Sequence, residues 1–179
     1  MNGVAARWAL AALLAVSVSQ AGCTKVIMQG VHEVRGASAK LHLISAVDEN
    51  EFAGYGGIRF EPLETSIGSR LCPPTLHDEY DAAAAVWQRK LAEHYSGGGP
   101  ELTIESEALY YQKKGLLKSA LMLSRVRMRA KETLVMDGIV LAKSKSYRAG
   151  GESALAAATL EAIGKFLERQ KGVESEDED

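Results

Sequence analysis

The sequence predicts an α/β protein of the α+β kind: a two-layer sandwich in which a mixed sheet of about four strands carries two helices on one face. Three observations lead there. Between Thr75 and Tyr95 apolar residues recur at helical spacing, between Leu102 and Lys131 they alternate as in strands, and after Gly150-Gly151 an alanine-rich stretch returns to helical spacing. The element order is then strand, helix, three strands, helix. A right-handed crossover makes the first two of these strands parallel where they are neighbours.

Ile58-Arg59-Phe60-Glu61 alternates apolar and charged side chains, as a half-buried strand does, and Pro62 limits its extension. Thr75, with Asp78 three residues on, is placed to cap the first helix, whose Leu76, Tyr80, Ala84, Trp87, Leu91 and Tyr95 form the stripe that docks on the sheet. Gly97-Gly98-Gly99-Pro100 ends it; a strand follows, so no helix N-terminus is present there to hold a phosphate. Leu102, Ile104, Ser106, Ala108 and Tyr110 then alternate with Thr103, Glu105, Glu107 and Leu109. Lys113-Lys114-Gly115 turns the chain, and the return strand sets Met122, Ser124, Val126, Met128 and Ala130 against Arg125, Arg127, Arg129 and Lys131 on the other face. A register that places Glu107 opposite Arg125 also places Glu105 opposite Arg127. Asp137-Gly138, between two apolar runs, reads as a hairpin turn. A simple two-residue turn would send Lys143 and Lys145 into the core, so this strand needs a bulge or a longer loop. Ser153 is placed to cap a last helix running from about Ala154 to Gln170. Its Ala156, Leu160, Ile163 and Leu167 form the docking stripe, beside Leu155, Ala162 and Phe166, while Glu161, Lys165, Glu168 and Arg169 stay polar.

At the N-terminus Arg7 precedes an apolar run from Trp8 to Val18, too short to cross about 30 Å of hydrocarbon as a helix, and Ser19-Gln20-Ala21-Gly22 leads to Cys23. Residues 1–22 therefore read as an export signal. Ala21-Gly22-Cys23 resembles the end of the bacterial lipobox, which implies that Cys23 becomes the first residue and carries a lipid; Gln20 departs from the aliphatic residue of that motif. Thr24 is not the aspartate associated with inner-membrane retention, so the resemblance implies the outer membrane, facing the periplasm. The alternative cut, after Ala21, leaves a soluble product. The chain has two cysteines, Cys23 and Cys72. With Cys23 acylated, Cys72 is a free thiol; otherwise the two could close a disulfide contributing about 3–4 kcal/mol. The organisation is then a signal peptide over 1–22, a tether leading into an edge strand over 23–52, the sandwich over 53–171, and an acidic tail over 172–179 that ends in Glu174, Glu176, Asp177, Glu178 and Asp179. A formal net charge of -2 on an exported chain does not suit a nucleic-acid partner.

From Gly54 to Lys171 the order of elements behind a lipobox resembles uncharacterised bacterial envelope lipoproteins whose domain looks like the N-terminal domain of TolB and the periplasmic part of the curli-secretion lipoprotein. The residues that carry the resemblance are the opening Tyr55-Gly-Gly-Ile-Arg-Phe-Glu-Pro, the Thr75–Tyr95 helix, Leu102-Thr-Ile-Glu-Ser-Glu, the basic strand, Asp137-Gly-Ile-Val-Leu-Ala and the alanine-rich last helix. It implies an assembly or accessory factor of the cell envelope and brings no catalytic residue.

No H-E-x-x-H or G-x-S-x-G motif occurs, and no nucleophile, metal set or cofactor motif can be nominated. His77 and Asp81, at i and i+4, form a helix-surface pair without an evident third metal ligand, and His94 lies near a helix end, where a cation suits the dipole. The candidate ligand-binding residues are Arg125, Arg127, Arg129 and Lys131. They form either an anion-binding row for a lipid phosphate or glycan, or the solvent face of a hairpin neutralised by Glu105 and Glu107. The functional expectation is a non-enzymatic, lipid-anchored envelope protein that contacts protein partners, without cofactor; the alternative is a module binding an anionic lipid or glycan through the basic face.

Overall fold

The structure is a computed structural model that describes residues 28–34, 36–46, 52, 54–68, 71–115, 118–144 and 151–172. Residues 1–22, read above as an export signal, Cys23 and the carboxylates of residues 174–179 lie outside the described residues. The elements are β1 (Met28–Val34), β2 (Ala37–Ala46), β3 (Gly57–Phe60), β4 (Glu64–Thr65), α1 (Pro74–Ala92), β5 (Glu101–Gln112), β6 (Leu121–Ala130), β7 (Thr133–Ser144) and α2 (Glu152–Gln170). The strands form one mixed sheet in the order β1-β2-β7-β6-β5-β3, with β4 also paired to β5. The protein is thus α+β with two helices, as expected, on a larger sheet than the four strands expected.

Two of the additional strands, β1 and β2, come from the segment read as a tether leading into an edge strand. Ala37, Ala39 and Leu41 are buried and alternate with half-buried Ser38, Lys40 and His42, which is the period of a strand with one covered face. Gly36 closes the β1–β2 hairpin at a φ of 89°, a left-handed conformation that glycine adopts without strain. This glycine interrupts the sequence pattern because it makes the turn. β2 then pairs antiparallel with β7, which leaves β1 at the sheet edge. Phe52 is also part of the fold, with its ring edge-on to Phe166 of α2 at 5.5 Å.

β3 and β4 are two pieces of the other edge. Both run parallel to β5, Gly57–Phe60 beside Glu101–Ile104 and Glu64–Thr65 beside Glu107–Ala108, and Pro62 lies in the break between them. The β5–β6 register is the expected one, with Glu107 opposite Arg125 and Glu105 opposite Arg127.

The hairpin turn expected at Asp137-Gly138 is not there. β7 runs without a break from Thr133 to Ser144, and the chain reverses at Lys131-Glu132, where Lys131 takes a φ of 55°. Gly138 sits where β2 comes closest: a Cβ there would lie 3.0 Å from the His42 carbonyl oxygen and 3.2 Å from Leu41 Cδ1. The glycine thus serves sheet packing, and the aspartate beside it meets an arginine. The register does shift between β6 and β7, at Met128/Arg129, so that Met136, Val140 and Ala142 face inward and Lys143 faces out.

Neither helix uses its expected cap. Pro73 is the N-cap of α1, with Pro74 as the first helical residue and no side-chain capping bond; proline starts a helix through its preset φ, and its missing N–H leaves no donor there to cap. Thr75 falls inside the first turn. α2 begins at Glu152 behind Gly151, with Ser153 exposed. The expected stripe of α1 is buried, as is that of α2. α2 packs on β1, β2 and β7 and also against α1. This second contact buries Glu168, 4% exposed and expected to stay in solvent, where the Lys90 ammonium pairs with it at 2.9 Å.

The helices approach most closely at Gly164, where a Cβ would lie 2.1 Å from Cε3 of Trp87. Gly164→Ala is expected to destabilise the fold by about 1–3 kcal/mol through overpacking, against a change within about 0.5 kcal/mol for Gly98→Ala, which has open space around it. Urea denaturation of both variants checks this.

Candidate functional site

The helices cover one face of the sheet, and the other face carries the candidate residues. Reading across β5, β6 and β7 on that face, Arg125 lies between Glu107 and Ile139, and Arg127 between Glu105 and Asp137. The hydrogen bonds run diagonally, and the straight pair Arg127–Glu105 remains only as a 4.0 Å ion pair. Arg125 reaches diagonally to Asp137 with two bonds, Nε to Oδ1 at 2.9 Å and Nη2 to Oδ2 at 2.5 Å. Arg127 Nη2 donates to Glu107 at 3.1 Å, and Arg129 Nε donates to Glu105 at 3.2 Å. Diagonal neighbours in a sheet are about 7–8 Å apart at the backbone, within reach of a guanidinium. The ladder is therefore shifted by one rung from the straight pairs of the register, because Asp137 takes Arg125.

Asp137 is the member that sequence reading missed. It is 5% exposed, yet the Arg125 hydrogen bonds hold its carboxyl below the ordinary carboxylate range against the opposing effect of burial. The signal was the alternation of β7 itself, which becomes visible only when Asp137-Gly138 is read as strand. Lys131 stands apart from the three arginines, in the turn between β6 and β7 and with no ion pair among the described residues.

Beside the ladder an open groove of about 740 Å³ runs along β3, β4, β5 and the β6–β7 turn. Arg59, Arg129 and Lys131 line it, but so do Glu61, Glu64, Glu105 and Glu132. Such a mixed lining suits hydroxyl-rich, uncharged groups better than an anion, which would meet more carboxylates than bases.

The histidine pair does structural work. His77 Nδ1 donates to the Leu63 carbonyl at 2.8 Å, and Asp81 Oδ1 accepts from the Leu63 amide at 3.3 Å, so the two hold both backbone groups of one residue. Gln88 accepts from the Phe60 amide at 3.3 Å in the same manner. With Nδ1 bonded to a carbonyl, His77 turns its Nε2 toward Cys72 Sγ at 3.4 Å. Burial pushes the Cys72 thiol up, opposed by a Thr65 hydrogen bond. A thiol kept protonated by burial is the opposite of an activated nucleophile. Among the described residues Cys72 is a free cysteine, and no three His, Cys, Asp or Glu side chains converge as a metal site. His94 is exposed just past the end of α1.

No family model matches the chain, and no curated protein matches it in sequence. Its fold is similar to solved structures. A dodecameric point variant of PelC from Paraburkholderia phytofirmans superposes with a TM-score of 0.45 at 9% identity, covering 70% of this chain and 98% of that one. A second PelC dodecamer crystal form from the same organism gives 0.42 at 7% identity, covering 70% and 96%. The hypothetical protein CT253 from Chlamydia trachomatis gives 0.38 at 14% identity, covering 66% and 97%. No helix among the described residues is long and apolar enough to cross a membrane.

The pairings predict an order of stability. Arg125→Gln strands the buried Asp137 carboxylate and is expected to lower the thermal midpoint more than Arg127→Gln or Arg129→Gln, whose partners are more exposed. Because the folded pKa of Asp137 is depressed, its contribution is fully present above the ordinary aspartate pKa and is lost as pH falls below it. The gap between wild type and Arg125→Gln should therefore narrow in acid, as thermal melts at pH 7 and pH 3 would show.

Proposed function

We infer that this protein is a non-enzymatic envelope lipoprotein, anchored through Cys23 and serving as an accessory component that meets its partners through the uncovered face of its sheet. The observation that carries this reading is the distance in sequence between leader and fold. Only Thr24 to Ile27 separate Cys23 from β1, so the lipobox-like site directly abuts a folded domain. The resemblance in element order to envelope lipoprotein families supports it further. At the β3–β4 edge, Gln88 and Asp81 occupy the Phe60 and Leu63 amides, so a partner strand would have to displace them. The open face is the more accessible surface.

A second reading has the groove in its favour: a glycan-binding module that uses Arg129, Lys131 and their neighbouring carboxylates for hydroxyl groups. Its anionic form, with Arg125, Arg127 and Arg129 as the ligands, asks each arginine to release a carboxylate of its own chain.

The intact mass of the mature protein from its native membranes tests the anchor. A first residue of acylated Cys23 is expected; a product beginning at Gly22 and gaining two hydrogens on reduction, as a Cys23–Cys72 disulfide would, overturns the reading. Replacing Arg125, Arg127 and Arg129 together by Gln separates the two functions. Reduced partner recovery by the folded variant is expected, whereas unchanged recovery with loss of salt-dependent glycan retention would favour the binding module.

A further inference from the structure

The outer face of the sheet has two chemically different ends. Toward the β6–β7 turn lies the arginine ladder, each guanidinium matched by a carboxylate of the same chain. Toward the β5–β6 loop the register places Tyr110, Leu123, Leu141 and Lys40 in one row across β5, β6, β7 and β2, and Leu121 beside Lys143 in the next. Tyr110 is 47% and Leu141 36% exposed, large values for apolar residues in mid-sheet. The loop at this end adds Lys113, Lys114 and Lys118, all exposed. None of these five lysines makes an ion pair among the described residues. The nearby carboxylate of Glu152 accepts from the Tyr111 hydroxyl at 2.7 Å, and that bond, more than Lys113 and Lys114, holds its pKa down.

Lysines without ion pairs among the described residues, around exposed Tyr110 and Leu141 and half-buried Leu121 and Leu123, form a surface that matches anionic headgroups over an apolar interior. Strand pairing relates it to the anchor. Met28, where the chain joins the sheet, pairs with His42, which stands in the row of Ile139 and Arg125 two positions from Lys40, and β1 runs from there toward the lysine-rich end. Five residue steps from Cys23 to Met28 span at most about 17 Å. A lipid on Cys23 would therefore hold the β1 edge close to the bilayer.

The geometry points to a membrane-docking surface for anionic phospholipid, made of Lys40, Lys113, Lys114, Lys118 and Lys143 around Tyr110, Leu123 and Leu141, which lays this end of the open face on the membrane that holds the anchor. The assignment rests on the lipoprotein reading for the approach of this face to the bilayer, and on charge and exposure for its chemistry. The opposite end of the face, with its self-neutralised ladder, is left turned toward other molecules.

The test reads both parts. The full mature chain is purified, its mass is determined for the lipid on Cys23, and it is reconstituted on phosphatidylcholine vesicles with and without phosphatidylglycerol. Amine acetylation of each lysine is then followed by mass spectrometry. On the anionic vesicles at low salt, Lys113, Lys114, Lys118 and Lys143 are expected to label about fivefold more slowly than on neutral ones, while Lys90 and Lys131 label equally on both; high salt should abolish the difference. Equal labelling of all lysines by an acylated protein overturns the docking surface and leaves the anchor standing. Slow labelling that requires native membranes with their other proteins assigns the surface to a protein partner and also overturns it. If the chain proves unacylated, the anchor reading falls, and salt-sensitive sedimentation with phosphatidylglycerol vesicles decides the surface alone: sedimentation lost on replacing Lys113, Lys114, Lys118 and Lys143 by Gln supports it, and no sedimentation of wild type overturns it. Equal folding of that Gln variant, checked by its thermal midpoint, makes its loss of binding interpretable.

Discussion

The two hydrogen bonds between Arg125 and Asp137 tie β6 to β7 at the centre of the sheet, and the architecture follows from β7 passing straight through that point. An aspartate followed by glycine is a strong local turn signal. Here the aspartate is drawn into a bidentate pair and the glycine admits β2, so the same dipeptide extends a strand instead of ending it. A turn at that position would have left β2 without a partner and cut the sheet to the four strands that local signals suggest. The residues that reverse the chain, Lys131 and Glu132, have no such signature; antiparallel pairing on both sides of them imposes the turn.

A continuous β7 also determines what each face of the sheet is for. Inward-facing Met136, Val140 and Ala142 meet α2, whose alanines and Gly164 let it settle both on the strands and against Trp87 of α1. Two helices suffice to cover that side. The other side, left open among the described residues, is chemically divided: an ion-paired ladder with little charge left to offer, and a lysine-rich end with apolar side chains in view. The three arginines that draw attention in the sequence are the residues best neutralised by their own neighbours.

The edges of the sheet are handled differently from its faces. At β3 and β4 the α1 side chains Gln88 and Asp81 take up outward-pointing amides, and His77 holds the Leu63 carbonyl. Edge strands with free donors invite pairing with other chains, and side-chain capping suppresses it. The Cys72–His77 contact belongs to the same arrangement: a buried thiol against an imidazole that is itself fixed by backbone. Cys72 and His77 together act as one strut between helix and edge.

Much of this protein was legible in its residues alone. The helical stripes from Leu76 to Tyr95 and from Ala156 to Leu167, the parallel pairing of β3 with β5 and the register of Glu105 and Glu107 against Arg127 and Arg125 follow from periodicity and from crossover handedness, because such patterns survive only if one face is buried. The apolar run from Trp8 to Val18 and the lipobox-like Ala21-Gly22-Cys23 are likewise patterns of the chain itself. Tertiary structure decided whatever depended on a distant partner: that Asp137 prefers an arginine to a turn, that Ala37 to Leu41 find β7 and become an interior strand, that Glu168 is buried beneath Lys90, and which cations keep a counter-ion. Local sequence cannot rank a turn against a strand when the energies that separate them come from residues brought close only by folding.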